Sequence, residues 1–156
     1  MADRPDYCPN CFKQIGVESV SCPYCNYKEF ERDNPLALKM NTVLKNRYIA
    51  GKILGAGGFG ITYKGLDTDS GTIVAIKEYV PLDSARRDKD ETTLKPTSSS
   101  KIELFEYGKK KFLDEARTLR ELRYVPDVVD ILDYFSENGT AYFVMEYLNG
   151  STLNHL

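Results

Sequence analysis

Between Tyr48 and Lys77 two strand-like runs enclose Gly55-Ala56-Gly57-Gly58-Phe59-Gly60, and nothing else in the 156-residue chain restricts its fold as tightly. Tyr48, Ile49, Ile53 and Leu54 lead into the cluster, and Ile61, Tyr63 and Leu66 lead out with the alternation of a half-buried strand. Gly55, Gly57 and Gly60 fit G-x-G-x-x-G, a weak pattern that equally describes a plain hairpin whose turn needs positive φ angles. Its dinucleotide-binding version needs the glycine turn to open directly into a helix. Here Ile61-Thr62-Tyr63 and the turn-forming Asp67-Thr68-Asp69-Ser70-Gly71 leave no space for one, which disfavours that version.

The next strand, Thr72-Ile73-Val74-Ala75-Ile76-Lys77, is apolar and ends on a lysine. Backbone N–H groups of a glycine hairpin can approach phosphates without side-chain obstruction, and a strand-borne lysine can neutralise their charge. Val74-Ala75-Ile76-Lys77 reproduces the V-A-I-K of protein kinases, and here the chain resembles the N-terminal lobe of a bacterial eukaryotic-like Ser/Thr protein kinase. Glu78-Tyr79-Val80-Pro81, with Ala85 and Arg86 shortly after, resembles one bacterial branch of that family. The resemblance implies that Gly55, Gly57, Phe59 and Gly60 cover the phosphates of ATP and that Lys77 contacts the α and β groups. It places Ala75 in the adenine slot, with Thr62 where the family often has Val. Phe143-Val144-Met145-Glu146-Tyr147-Leu148-Asn149-Gly150 resembles the end of the kinase sheet and the hinge. By that likeness Met145 is the gatekeeper, the backbones of Glu146 and Leu148 bond adenine, and Ser151 to Leu156 begin the following helix.

Lys109 to Arg123 reads as a helix. At 100° per residue Phe112, Ala116, Leu119 and Leu122 share one arc and Glu115 falls among them, while Asp114 and Glu121 project to the opposite side. A carboxylate inside an apolar stripe needs a partner. The resemblance makes Glu115 the glutamate of the family's helix C, paired with Lys77; the alternative is an ion pair with Arg117 or Lys111 on its own helix. Val128 to Phe135 and Thr140 to Met145 read as strands joined by a turn at Glu137-Asn138-Gly139. Residues 82–101 are polar and read as a flexible loop.

The fold expected is α+β: a kinase N-lobe over residues 47–156, built of a five-stranded antiparallel sheet plus helix C, with the C-lobe absent. No H-R-D and no D-F-G occurs, so the family's groups for the acceptor hydroxyl and for magnesium are missing. The resemblance therefore implies the ATP-binding portion of a Ser/Thr kinase, inactive by itself and self-associating through its exposed interlobe face. ATP with Mg and protein substrates would belong to the full-length enzyme. The alternative is a non-catalytic scaffold or regulatory module.

All four cysteines lie within residues 8–25, as the knuckles Cys8-Pro9-Asn10-Cys11 and Cys22-Pro23-Tyr24-Cys25. Ten residues separate them, enough for a short hairpin that brings four thiolates to one ion. Four thiolates in a tetrahedron suit structural zinc, with rubredoxin-like iron and a dithiol redox pair as the other readings. Residues 1–30 are accordingly expected as a zinc ribbon ligated by Cys8, Cys11, Cys22 and Cys25, and residues 31–46 as a linker. Nucleic acid is not expected as a partner, because 21 Lys+Arg against 23 Asp+Glu give a net charge of −2 and the ribbon has no basic patch. With no apolar stretch long enough to span a bilayer and a polar start, the protein is expected in the cytoplasm.

Overall fold

The alternating apolar runs on either side of the glycine cluster become long strands, and these organise everything else. The computed structural model describes residues 7–16, 20–28, 34–122 and 129–147. Its strands are β1 (Thr42–Leu44), β2 (Tyr48–Ala56), β3 (Gly60–Asp67), β4 (Thr72–Tyr79), β5 (Ala85–Arg87), β6 (Leu94–Pro96), β7 (Ile131–Glu137) and β8 (Thr140–Glu146). The one long helix among the described residues, α1 (Ile102–Glu121), follows a 3-10 turn at Ser99–Lys101. The main sheet has the order β1-β2-β3-β4-β8-β7 with every pair antiparallel, while β5 and β6 pair with each other.

This is the expected five-stranded sheet and helix, with the three-residue β1 added at one edge. So short a strand shows no period of its own; Leu44, fully buried, holds it in place. At the far edge the expected turn forms, Asn138 and Gly139 taking φ of 57° and 75° between Glu137 and Thr140, as a two-residue hairpin loop requires.

Cross-strand partners share a face of a sheet. Thr62 lies opposite Lys77 and Lys64 opposite Ala75, while Lys77 and Ala75 lie opposite Phe143 and Met145. These six side chains therefore mark one face, and α1 packs on it through Phe112 and Ala116. The helix starts seven residues before the expected Lys109, because Phe105 is buried against the ring of Tyr79. Exposed Ile102, Leu104 and Tyr107 break the apolar period over that first stretch and conceal it from sequence reading.

The opposite face carries Ile61, Tyr63, Val74, Ile76, Tyr142 and Val144, all buried. Two segments expected to be loose cover it. The stretch at 31–46, expected as a linker, packs over its described part: Leu38 and Leu44 enter the core, and the Leu38 amide donates to the Tyr63 hydroxyl at 2.9 Å. Residues 82–101, expected as a flexible loop, instead form the β5–β6 hairpin and bury Ala85 and Leu94. Their polarity has a physical cause, because Arg87 turns inward and clamps Glu78, a fully buried carboxylate. Glu78 accepts from Arg87 at 2.8 and 3.0 Å, from the Tyr63 hydroxyl at 2.8 Å and from the Tyr142 hydroxyl at 2.6 Å. Arg87 also donates to the carbonyls of Thr92 and Leu36, tying hairpin, sheet and the 34–44 segment together.

Candidate nucleotide site and candidate metal centre

The two cysteine knuckles fold alike. Cys8 and Cys22 each accept at their carbonyls from the residue four places on, Phe12 and Asn26, at 2.8 Å. Phe12 and Asn26 both sit in the left-handed region, at φ 62° and 66°. The Cys8 amide donates to Lys13 and the Cys22 amide to Tyr27, and the amides of Asn10 and Tyr24 each donate to a cysteine sulfur at 3.4 Å. This repeated geometry brings the four Sγ atoms within 4.8 Å of one another, with Cys8 to Cys25 at 3.6 Å and Cys11 to Cys22 at 3.7 Å. A tetrahedral zinc with Zn–S bonds of about 2.3 Å has sulfur edges of about 3.8 Å, so the four ligands fit that ion. Burial pushes the Cys8 thiol up to about 12. At Cys25 burial acts in the same direction but is outweighed by donation from the Asn10 side chain and the Tyr27 backbone, which bring it down to about 6.

The glycine hairpin joins β2 to β3 and is exposed at its tip. A Cβ at Gly55, Gly57 or Gly58 would meet nothing within 4 Å, so the backbone there borders open space. Gly60 differs, since a Cβ would lie 3.2 Å from Cε of Lys77 and 2.9 Å from the Glu78 carbonyl. The third glycine makes room for the lysine stem. Hydrogen bonds from Val80 and Leu82 to the carbonyls of Phe59 and Gly58 extend the β3–β4 ladder into the loop, and the Phe59 ring stays exposed. Ala75 and Met145, opposite one another in register, are buried beside Phe143 and Ala116, with half-buried Leu54 packed against them. The Glu146 amide donates to the Asp130 carbonyl at 3.2 Å, fixing the chain as it leaves β8. Leu148, together with 149–156, lies outside the described residues.

A protein kinase domain family model matches residues 48–156. The chain belongs to the protein kinase family. Serine/threonine-protein kinase D of Synechocystis is 32% identical over 120 residues, which cover 75% of this chain and 21% of that protein. Serine/threonine-protein kinase B of the same organism is 30% identical over 112 residues, covering 71% of this chain and 17% of the relative. A solved structure described as the apo form of PpkA-294 superposes with a TM-score of 0.69 at 30% identity, over 74% of this chain and 40% of that one. The chain thus spans well under two thirds of these relatives, and the part it shares is the kinase N-lobe.

Within this kinase lobe most of the expected nucleotide residues converge on one sheet face, but Lys77 and Glu115 form no ion pair. Glu115 is exposed on α1, where Phe112 and Ala116 take the sheet-facing positions. The ring of Phe143 stacks on Phe112 at 5.0 Å and has the Lys77 ammonium 5.8 Å from its centroid, so an aromatic ring occupies the path toward the helix. The alternative pair of Glu115 with its own helix is not formed either, since Arg117 bonds Asp114 at 3.3 Å and Lys111 lies over the Tyr107 ring. Sequence reading missed Leu54, Phe143 and the Glu78–Arg87 pair. The signal for Leu54 was its place just before the glycines, and for Glu78 its position next to Lys77 on a strand, where successive side chains face opposite sides. Among the described residues no helix is long and apolar enough to cross a membrane.

Proposed function

We propose that this chain is the ATP-holding lobe of a protein Ser/Thr kinase and that its cysteine knuckles hold structural zinc. One observation carries the nucleotide reading: open backbone at Gly55 and Gly57 lies next to a strand whose Lys77 passes beneath Gly60. ATP would place its adenine against Ala75, Leu54 and Met145 and take hydrogen bonds from the backbone of Glu146 and Leu148. Its phosphates would lie under the hairpin amides, where the Lys77 ammonium offsets their charge. Mg bound to the phosphates would neutralise the rest. Glu115 would meet Lys77 once α1 turns or shifts toward the sheet, and the phosphates would favour that movement by drawing the ammonium off the Phe143 face. Zinc bound by the four cysteines would supply most of the folding free energy of so small a ribbon.

Transfer of the γ-phosphoryl group to a protein Ser or Thr hydroxyl additionally needs a base for that hydroxyl and carboxylates for the metal. The 156 residues contain neither motif, and transfer is proposed only for a protein in which those groups accompany this lobe. Titration with a fluorescent ATP analogue is expected to show weak, Mg-dependent binding that Lys77→Ala lowers about tenfold or more, as loss of a charge-assisted contact implies. The same preparation is expected to transfer no phosphate to a Ser/Thr peptide. Equal affinity in wild type and Lys77→Ala would sink the nucleotide reading.

A further inference from the structure

The ribbon does not hang free of the lobe. The Pro9 carbonyl, inside the first knuckle, accepts from the Lys52 amide of β2 at 2.9 Å, and the Tyr7 carbonyl accepts from the Asn41 side chain at 3.1 Å. At Gly51 the fit is so close that a Cβ would overlap the Pro9 carbonyl and lie 2.7 Å from the tip of the Phe12 ring. Asn10 connects the two parts. Its amide group donates to the Cys25 sulfur at 3.4 Å, and its carbonyl oxygen accepts from the Lys64 ammonium at 3.3 Å. Lys64 in turn lies 5.1 Å over the ring of Tyr147, the residue that follows Glu146. It shares a sheet face with Thr62, Ala75 and Lys77, so the knuckle sits at the outer end of the nucleotide face, between the hairpin base and the hinge.

We propose that the ribbon is a metal-loaded clamp on the nucleotide hairpin, so that occupancy of the four-cysteine centre sets the rigidity of β2, β3 and the hinge. The physical reason lies in the ribbon's own core, a small cluster that among the described residues is built on Cys8, Ile15 and Cys22, with Phe12 turned to the lobe. Such a core cannot hold the knuckle together once the ion leaves. Losing the knuckle removes the acceptor of Lys52, the cover over Gly51 and the partner of Lys64 in one step. Linkage makes the effect reciprocal: a docked lobe must raise the metal affinity by the factor with which metal favours docking. The meaning of the clamp for ATP rests on the function proposed above, but the clamp itself is a property of the apo chain.

Hydrogen exchange on the whole chain, reduced and free of nucleotide, tests this directly with zinc bound and after removal by a chelator. Segment 50–65 is expected to exchange at least tenfold faster without zinc, while β7 and β8 keep their protection. In Gly51→Val the same segment is expected to exchange fast with one zinc still bound, and zinc affinity to fall about tenfold, the size expected from losing two or three modest hydrogen bonds. Lys64→Met changes no ligand and adds no bulk under β2, so it serves if Gly51→Val fails to fold; it is expected to weaken zinc several-fold. Unchanged exchange over 50–65 on zinc removal, or wild-type zinc affinity in the folded variants, overturns the clamp. An ATP analogue that fails to bind while the exchange difference persists would overturn the nucleotide reading and leave the clamp standing.

Discussion

Glu78 is the residue on which the outer layer of the sheet depends. Fully buried, it takes four hydrogen bonds, two from one guanidinium and two from phenols whose own pKa values burial and the Glu78 charge push up. Removing one partner of a buried ion pair leaves an uncompensated charge, whereas replacing both by apolar groups can be neutral. Arg87→Ala is therefore expected to cost about 3–5 kcal/mol in a denaturant titration, and Glu78→Met with Arg87→Met to recover most of it. A second carboxylate, Asp67, closes the β3–β4 turn with two 2.9 Å bonds from Arg47 and one from the Asp69 amide. The Arg47 guanidinium holds its pKa down to about 2, below the ordinary value near 4. Its contribution to stability is present above about pH 4 and is lost as pH falls toward 2. In unfolding followed by circular dichroism, Asp67→Asn is expected to be less stable than wild type near neutral pH, the difference shrinking as pH falls from about 4 to about 2.

Elements differ in how much of themselves they disclose in sequence. The strands β2, β3, β4, β7 and β8 were legible because eight or so alternating residues average out local exceptions, and the Asn138-Gly139 turn because its φ angles leave few other choices. Helix α1 was half legible: its second half carries the apolar arc, and its first half does not. The hairpin β5–β6 was not legible, since three-residue strands have no period and Arg87, which fixes the hairpin, looks in sequence like one more member of the charge run at 86–91. Leu94 discriminates between hairpin and loop. A leucine on a solvated loop can be truncated at no cost, whereas one buried under the sheet leaves a cavity, so Leu94→Ala is expected to destabilise by about 2–4 kcal/mol in thermal or denaturant unfolding.

At the scale of the whole molecule, the candidate site was legible by residue but not by arrangement. Lys77, Ala75 and Met145 share one sheet face beside the glycine hairpin, because strand register sets them there; what they bind is the proposal made above. Glu115 could not be placed from its helical phase, because the arc that packs on the sheet is narrower than the apolar arc: Phe112 and Ala116 face the sheet, while Leu122, on the side of Glu115, is exposed. Nor could any pattern within residues 1–30 foretell that the first knuckle rests on β2, since the observation that decides it, the missing Cβ of Gly51, belongs to the other module. That seat leaves a trace in the ribbon. Its two knuckles are near-copies, and the left-handed position is filled by asparagine in one and phenylalanine in the other. Asparagine tolerates that backbone, whereas an aromatic residue there carries a penalty of about 1 kcal/mol or more. The ribbon thus departs from its own internal symmetry at a residue whose ring rests beside Gly51, as it also does at Asn10, which meets Lys64. Phe12→Asn should yield a knuckle that is more relaxed in itself and less committed to its neighbour: the small module carries some local frustration in exchange for a closer seat on the large one.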